Sequence, residues 1–400
     1  MAKGLHDGTV KPEDLSKEYI LNTYKELYKG ANEGYSEKFT SFTTEPDESR
    51  TIQALKQNIY MFSQAKNFGL FIHMQGLLEK NGKIQSFNDF KKDVLKLNPT
   101  YNKNYLQAEF QTARATANHV RNWQQFEANK ALFPNLRYKT VGDARVREQH
   151  ELLNNHVAAV DDAFWLTYYP PNGWRCRCFV EQTNEATSDK KITVNEAAKF
   201  GVPEAFKMNA AKEQQIFDKQ KNPFFALTNN TANKKVVEQT MERNKLDAPL
   251  ELAHTASNGA KVKISPFADT NGFSDNLRIA IKVADTIGLD LDMIAHLKGR
   301  VIIGEKQPEY RNGENRGDLK TPSSTSLRKR LKSASDQKVE FVIFDLSKNQ
   351  LTIEQAITEI KQRINKKQTN EVYPTIKRFI IVSRDGNNVE LFKREDLIEK

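Results

Sequence analysis

The apolar residues of this chain change their period partway along it, and that change limits the fold more than any single motif does. Up to about Phe133 they recur every three or four positions: Leu15, Tyr19, Tyr24, Leu27 and Tyr28, then Ile52, Leu55, Ile59, Phe62 and Ala65, then Leu106, Phe110, Ala113, Ala117 and Val120. Such spacing gathers side chains on one face of a helix. The first third is therefore expected to be helical, its last long helix running from about Tyr105 to Lys130 and ending at Pro134 and Asn135. These stripes read as core packing. Between Arg137 and Gln182 the segments shorten, broken by Gly142, Pro170, Pro171, Asn172 and Gly173, and aromatic residues cluster at Phe164, Trp165, Tyr168, Tyr169 and Trp174. From Thr183 to about Leu250 the chain turns polar and rich in Lys and Asn, which reads as a partly helical connector.

The last 130 or so residues alternate between the two periods. Leu277, Ala280, Ile281, Ala284 and Ile287 mark an amphipathic helix, residues 301–305 (VIIGE) a strand, and residues 312–315 (NGEN) a tight turn into a second strand through Asp318 and Lys320. A helix from about Ser324 to Gln337, the buried strand VEFVIFDL, and a helix with Ile353, Ile357, Ile360 and Ile364 on one side follow. RFIIVS and VELF close the chain as a hairpin over Asp385, Gly386 and Asn387. Four hundred residues exceed what one core usually serves. The expectation is a multi-domain α+β protein: residues 1–182 mainly helical with a small irregular β and cysteine segment, 183–250 a connector, and 251–400 an α/β unit.

Composition narrows the function classes. A hydrophobic fraction of 38%, with 23 Phe and 12 Tyr, is enough to build cores. No apolar run approaches the roughly 18 residues that cross a bilayer, and the N-terminus lacks the apolar stretch of a signal peptide, so a soluble protein is expected. The net charge of +10, from 61 Lys and Arg against 51 Asp and Glu, suits contact with nucleic-acid phosphates. The two cysteines, Cys176 and Cys178, are one residue apart, a spacing too tight for an unstrained disulfide. With His150 or His156 they form a donor set that suits Zn²⁺, or else they pack around the Trp-rich turn; both roles stay open on the sequence. No Asn or Asp pattern supports a cysteine nucleophile.

The segment around these cysteines, RYKTVGDARVREQHELLNNHVAAVDDAFWLTYYPPNGWRCRCFVEQ, carries Asp143, Arg145 and Arg147 before His150, then Asp161–Asp162, Phe164–Trp165 and PPNGWRCRC. It resembles the Mu F-like family of phage minor head, or head-morphogenesis, proteins, and with the upstream helices and FKMNAAKEQQIFDKQKNPFF the likeness covers roughly residues 1–226. The resemblance implies a place in the virion, contact with portal and head proteins, and for some members entry into the host with the DNA.

A second pattern lies in EKQPEYRNGENRGDLKTP. Asp318 and Lys320, two apart on a strand, share one face, and a hairpin brings Glu309 alongside, at the edge of one small sheet. Two carboxylates suit a hard divalent ion such as Mg²⁺, and the lysine can steady an attacking water or phosphate charge. The spacing resembles the PD-(D/E)xK nucleases, with Glu309 where Asp is commoner and Asp318 where Glu is usual. The region from about Asn276 to Phe392 is also similar to the C-terminal tRNase toxin domains of contact-dependent inhibition proteins. That likeness implies a site of Glu309, Asp318, Lys320 and Gln337, a tRNA or other nucleic-acid substrate, and an immunity protein as partner. Arg328, Lys329, Arg330 and Lys332 on the next helix read as a phosphate-binding cluster or as a solvated face. Other toxin tRNases work without metal on His, Thr or Lys groups, and His296, expected on a helix surface, is the nearby histidine. The expected function is a phage minor head protein fused to a nuclease toxin, found in the virion and then in the bacterial host cytoplasm. The alternatives are a purely structural head protein with an inactive or nucleic-acid-binding tail, and a DNase.

Overall fold

The computed structural model describes residues 2–40, 46–196, 199–297, 308–365 and 373–398. It divides into two compact units, Met1–Met241 and Glu242–Lys400. The class is mixed α+β, helical in the N-terminal half and built on an eight-stranded sheet in the C-terminal half. No helix among the described residues is long and apolar enough to cross a membrane.

The first unit is led by helices α1 (Lys17–Tyr35), α2 (Pro46–Gly76), α3 (Phe87–Pro99) and α4 (Leu106–Ala128). The Ser16 side chain caps α1 by accepting from the Tyr19 amide. The expected stripes are its core: Ile52, Leu55, Ile59, Phe62 and Ala65 on α2 and Ala113, Ala117 and Val120 on α4 are all buried. Gly30 and Gly34 let α1 and α4 approach closely, because a Cβ on Gly34 would lie 2.0 Å from the Arg114 carbonyl oxygen. Three short strands follow, β1 (Asn135–Lys139), β2 (Val157–Ala159) and β3 (Phe179–Thr183), in the antiparallel order β2-β1-β3. Phe164, Trp165, Tyr168 and Tyr169 form one cluster against this sheet.

The stretch expected to be a connector, 183–250, behaves otherwise. The chain divides at Met241, and residues 183–241 fold with the first unit. Asn58, fully buried on α2, explains why: its Oδ1 accepts from the amides of Ile216 (2.9 Å) and Phe217 (2.8 Å), and its Nδ2 donates to the Phe217 carbonyl at 2.9 Å. Phe217 then stacks on Phe62 with ring centroids 3.8 Å apart. One buried amide thus gathers a segment whose polarity reads as linker. The helix α5 (Pro223–Asn229) is capped by the Asn222 side chain and sets Phe224 against Gly69 of α2.

The second unit is a sheet whose strands lie side by side in chain order: β4 (Glu251–Thr255), β5 (Lys261–Ile264), β6 (Leu291–Met293), β7 (Tyr310–Asn312), β8 (Asn315–Lys320), β9 (Phe341–Asp345), β10 (Arg378–Val382) and β11 (Val389–Lys393). Three neighbouring pairs are parallel, β5–β6, β8–β9 and β9–β10. Each is bridged by a helix: α6 (Phe273–Ile287), α7 (Arg328–Asp336) and α8 (Ile353–Ile364) respectively. That is the connection parallel pairing demands, whereas the antiparallel β7–β8 and β10–β11 pairs need only tight turns, with Gly313 and Gly386 at positive φ. The expected strand at 301–305 lies outside the described residues. The helix expected from about Ser324 begins at Arg328. Asn349 is the reason, for its Nδ2 donates to the carbonyls of Pro322 (3.3 Å) and Ser324 (2.8 Å) and holds that loop out of helical geometry. Strands β4 and β5 extend the sheet beyond what the sequence reading placed in it.

Candidate active site

Asp318 sits inside β8 at 2% exposure, and Lys320, two residues on, pairs its Nζ with Asp318 Oδ2. The strand alternation that pairs them is the expected one. Glu309 directly precedes β7, and the register that sets Gly317 opposite Tyr310 brings it beside Asp318. Its Oε2 accepts from the Leu319 amide at 3.1 Å. Gln337 is the C-cap residue of α7, and its side chain hydrogen-bonds Asp318 while its Oε1 is buried without a partner. All four expected residues therefore converge. They do so in the middle of an eight-stranded sheet, on the β7–β8 hairpin, and not at the edge of a small one.

The electrostatics follow from burial. Glu309 is pushed up to about 7, first by desolvation and then by the Asp318 charge, with the Leu319 amide and Lys320 opposing. Asp318 is raised by burial as well, against the pull of Lys320. Two carboxylates share one lysine, so the cluster carries more negative charge than it neutralises. Asp269 adds to the charge felt by Glu309 and was missed in the sequence, because it lies on the loop between β5 and α6 with no motif around it. His296 is not on a helix: it follows β6 in irregular backbone, its amide donating to the Phe267 carbonyl (2.7 Å) and its Nδ1 lying 3.8 Å from Asp269 Oδ2.

Arg328, Lys329, Arg330 and Lys332 all lie on α7 and are exposed, while Leu331 between them is buried in the core. Behind the site, Gly317 packs directly on Phe341 of β9, where a Cβ would fall 2.0 Å from the ring.

The cysteine segment forms a second, separate cluster in the first unit. His150 Nδ1 is 3.7 Å from both Cys176 Sγ and Cys178 Sγ, and all three residues are buried. Among the described residues it is the one group of three or more His, Cys, Asp or Glu drawn closely enough to hold a metal ion. The Cys176 thiol is held well below the ordinary range by a hydrogen bond from Cys178 and by His150, against burial. His156 takes no part and packs on Phe164 with ring centroids 4.5 Å apart. Asp143 clamps the loop by accepting both Arg177 Nη groups at 2.5 Å, and Arg147 donates to the Trp174 carbonyl at 2.7 Å.

Residues 80–181 match the family model of Phage Mu protein F like proteins, so the first unit carries a Mu F-like segment. The putative capsid assembly protein F of Escherichia phage Mu is 49% identical over 55 residues, 14% of this chain and 12% of that protein. The Mu-like prophage FluMu F protein of Haemophilus influenzae is 39% identical over 80 residues, 20% of this chain and 19% of that protein. The matched segments thus span less than a fifth of these curated relatives. Among solved structures, a CdiA-CT/CdiI toxin and immunity complex from Burkholderia pseudomallei aligns over 32% of this chain and 91% of that one, at 16% identity and a TM-score of 0.23, too slight a likeness to assign a fold.

Proposed function

We propose, starting from that Mu F-like segment, that this chain is a phage or prophage minor head protein whose C-terminal unit is an endonuclease toxin acting on RNA, tRNA foremost. The head role rests on the Mu F-like match and would place the chain in the virion, beside portal and head proteins, before it reaches the host cytoplasm. The nuclease role rests on one observation: Glu309, Asp318, Lys320 and Gln337 meet on the β7–β8 hairpin and the end of α7. A PD-(D/E)xK-like reading gains support from the order of parts, an acid before a hairpin, acid-x-Lys on its second strand, then a helical crossover into a parallel strand.

A divalent cation of the Mg²⁺ type fits the donor set, since two hard carboxylates face a single lysine. Glu309 and Asp318 would hold it, and it would supply Lewis-acid stabilisation of the phosphate. The chain's own groups do the rest. Lys320 places a positive charge where charge develops on a scissile phosphate, Gln337 fixes the Asp318 rotamer, and the exposed Arg328, Lys329, Arg330 and Lys332 draw in the backbone. His296, the nearby histidine, lies against Asp269, with its Nδ1 3.8 Å from the Asp269 Oδ2. An immunity protein covering this surface is the implied partner.

The test is to incubate the full chain with labelled tRNA and, separately, with plasmid DNA, with Mg²⁺ and with EDTA. Cleavage of tRNA that EDTA stops, and that Asp318→Ala and Lys320→Ala each reduce at least about a hundredfold, is expected. Plasmid cleavage instead makes the tail a DNase. Intact substrates under every condition leave a structural head protein.

A further inference from the structure

We propose that the first unit holds a structural Zn²⁺ ion bound by His150 Nδ1, Cys176 Sγ and Cys178 Sγ, independently of any chemistry in the C-terminal unit. The geometry carries the case. One nitrogen lies 3.7 Å from each of two sulfurs, and the three ligand atoms all fall within 4.8 Å of one another. A tetrahedral zinc with Zn–N near 2.0 Å and Zn–S near 2.3 Å puts its nitrogen and sulfur ligands about 3.6 Å apart. One ring nitrogen equidistant from two sulfurs is the arrangement that an ion seated between the three atoms would produce.

The donor chemistry agrees. Two soft thiolates and a borderline imidazole select zinc over hard ions such as Mg²⁺ or Ca²⁺. Both cysteines are free of any disulfide. Binding displaces the two thiol protons to solvent, leaving a neutral Zn(Cys)₂(His) unit that can stay buried. The loop is also held from outside. His119 Nε2 donates to the Cys178 carbonyl at 3.2 Å, Tyr138 donates to Asn172 at 2.9 Å, and Arg177, the residue between the two cysteines, is tied to Asp143. A cavity of about 20 Å³ adjoins the three ligands, lined by Val141, Arg145, Arg147 and Arg175, and it has room for one water-sized fourth ligand. The arginines around it favour an anionic or hydroxide-like occupant over a cation. The ion would tie the turn at Glu148–Glu151 to the start of β3, two segments that share no strand pairing.

The experiment uses the full chain, purified under reducing conditions from zinc-supplemented cells, with metal measured by mass spectrometry. About one zinc per chain is expected, lost in Cys176→Ser and His150→Ala and kept in His156→Ala. As a control against variants that lose their fold, the wild-type chain is also stripped with chelator and refilled with Co²⁺. An intense thiolate-to-cobalt charge-transfer band with tetrahedral d–d bands is the expected spectrum. Only trace zinc in the wild type, or a Co²⁺ spectrum lacking the thiolate band, overturns the site.

Discussion

Glu309 bears an electrostatic cost that can be read out without any substrate. Its carboxyl is pushed up to about 7, by burial first and the Asp318 charge second. An acid whose folded value is raised holds its proton while the unfolded chain has already lost it. Stability is then intact below the unfolded value of about 4.3 and falls as pH rises toward 7, levelling off above that. With some screening at a half-buried site, the loss should be about 2 kcal/mol. Urea unfolding of the full chain at pH 5 and pH 8 measures it, and Glu309→Gln should remove most of the decline. If the variant declines just as steeply, the proton sits elsewhere and the carboxylate pair is not strained. At pH 8, Mg²⁺ should stabilise the wild type more than Glu309→Gln, since the ion would neutralise the charge that the substitution deletes. Asp318 and Lys320 were legible in the sequence because a strand repeats every two residues, so acid-x-Lys needs no tertiary information to share a face. Asp269 was not legible, because only the folded loop after β5 brings it near Glu309. The gathering of His150 with Cys176 and Cys178 depends likewise on tertiary folding, and on the sequence alone His156 stood beside His150 as a possible ligand.

Strand β8 does two jobs, presenting Asp318 and Lys320 on one side and packing Gly317 on the ring of Phe341. Gly317→Ala should force the ring or the strand to move, since its Cβ would lie 2.0 Å from two ring atoms. A cost of about 1–3 kcal/mol is expected from overpacking. The strand's displacement should also lower the proposed nuclease activity, though Gly317 itself would touch no substrate. Adding Phe341→Leu should recover part of both losses, as seen by chemical unfolding and tRNA cleavage side by side. No recovery in either would place the damage in the backbone and not in the ring contact. The elements legible beforehand were those with a strong local period: α8, whose Thr352 and Gln355 form a capping box, and β9 with five buried residues in a row. Those that escaped were decided by distant partners. Strands β4 and β5 carry charged residues among the apolar ones and gain their identity from pairing. The α7 start was moved by Asn349, and the expected connector was recruited by Asn58; both are single amides far off in sequence.

Each of the two units has a core of its own, aromatic-rich around the small sheet of the first and aliphatic around β9, β10 and α8 of the second. The proposed division of labour needs that separation, because a toxin carried by a head protein must be able to work when the head unit is elsewhere engaged. Unfolding should then proceed in two transitions, each answering to its own substitutions. In the first unit, Lys66 is fully buried and pairs Nζ with Glu109 Oε2 at 2.5 Å, also donating to the Tyr101 carbonyl at 3.1 Å. Burial pulls the lysine down and pushes the glutamate up, so neither ion is comfortable without the other. Lys66→Met should strand the carboxylate and cost about 3–5 kcal/mol. Calorimetry of the full chain should show that this variant lowers one transition while leaving the other, which Gly317→Ala lowers, in place. Zinc chelation should move only the Lys66 transition, and Mg²⁺ only the Gly317 one. A single transition shifted by all four perturbations would mean that the two cores melt as one cooperative body, and the tail could not then act as a separable enzyme.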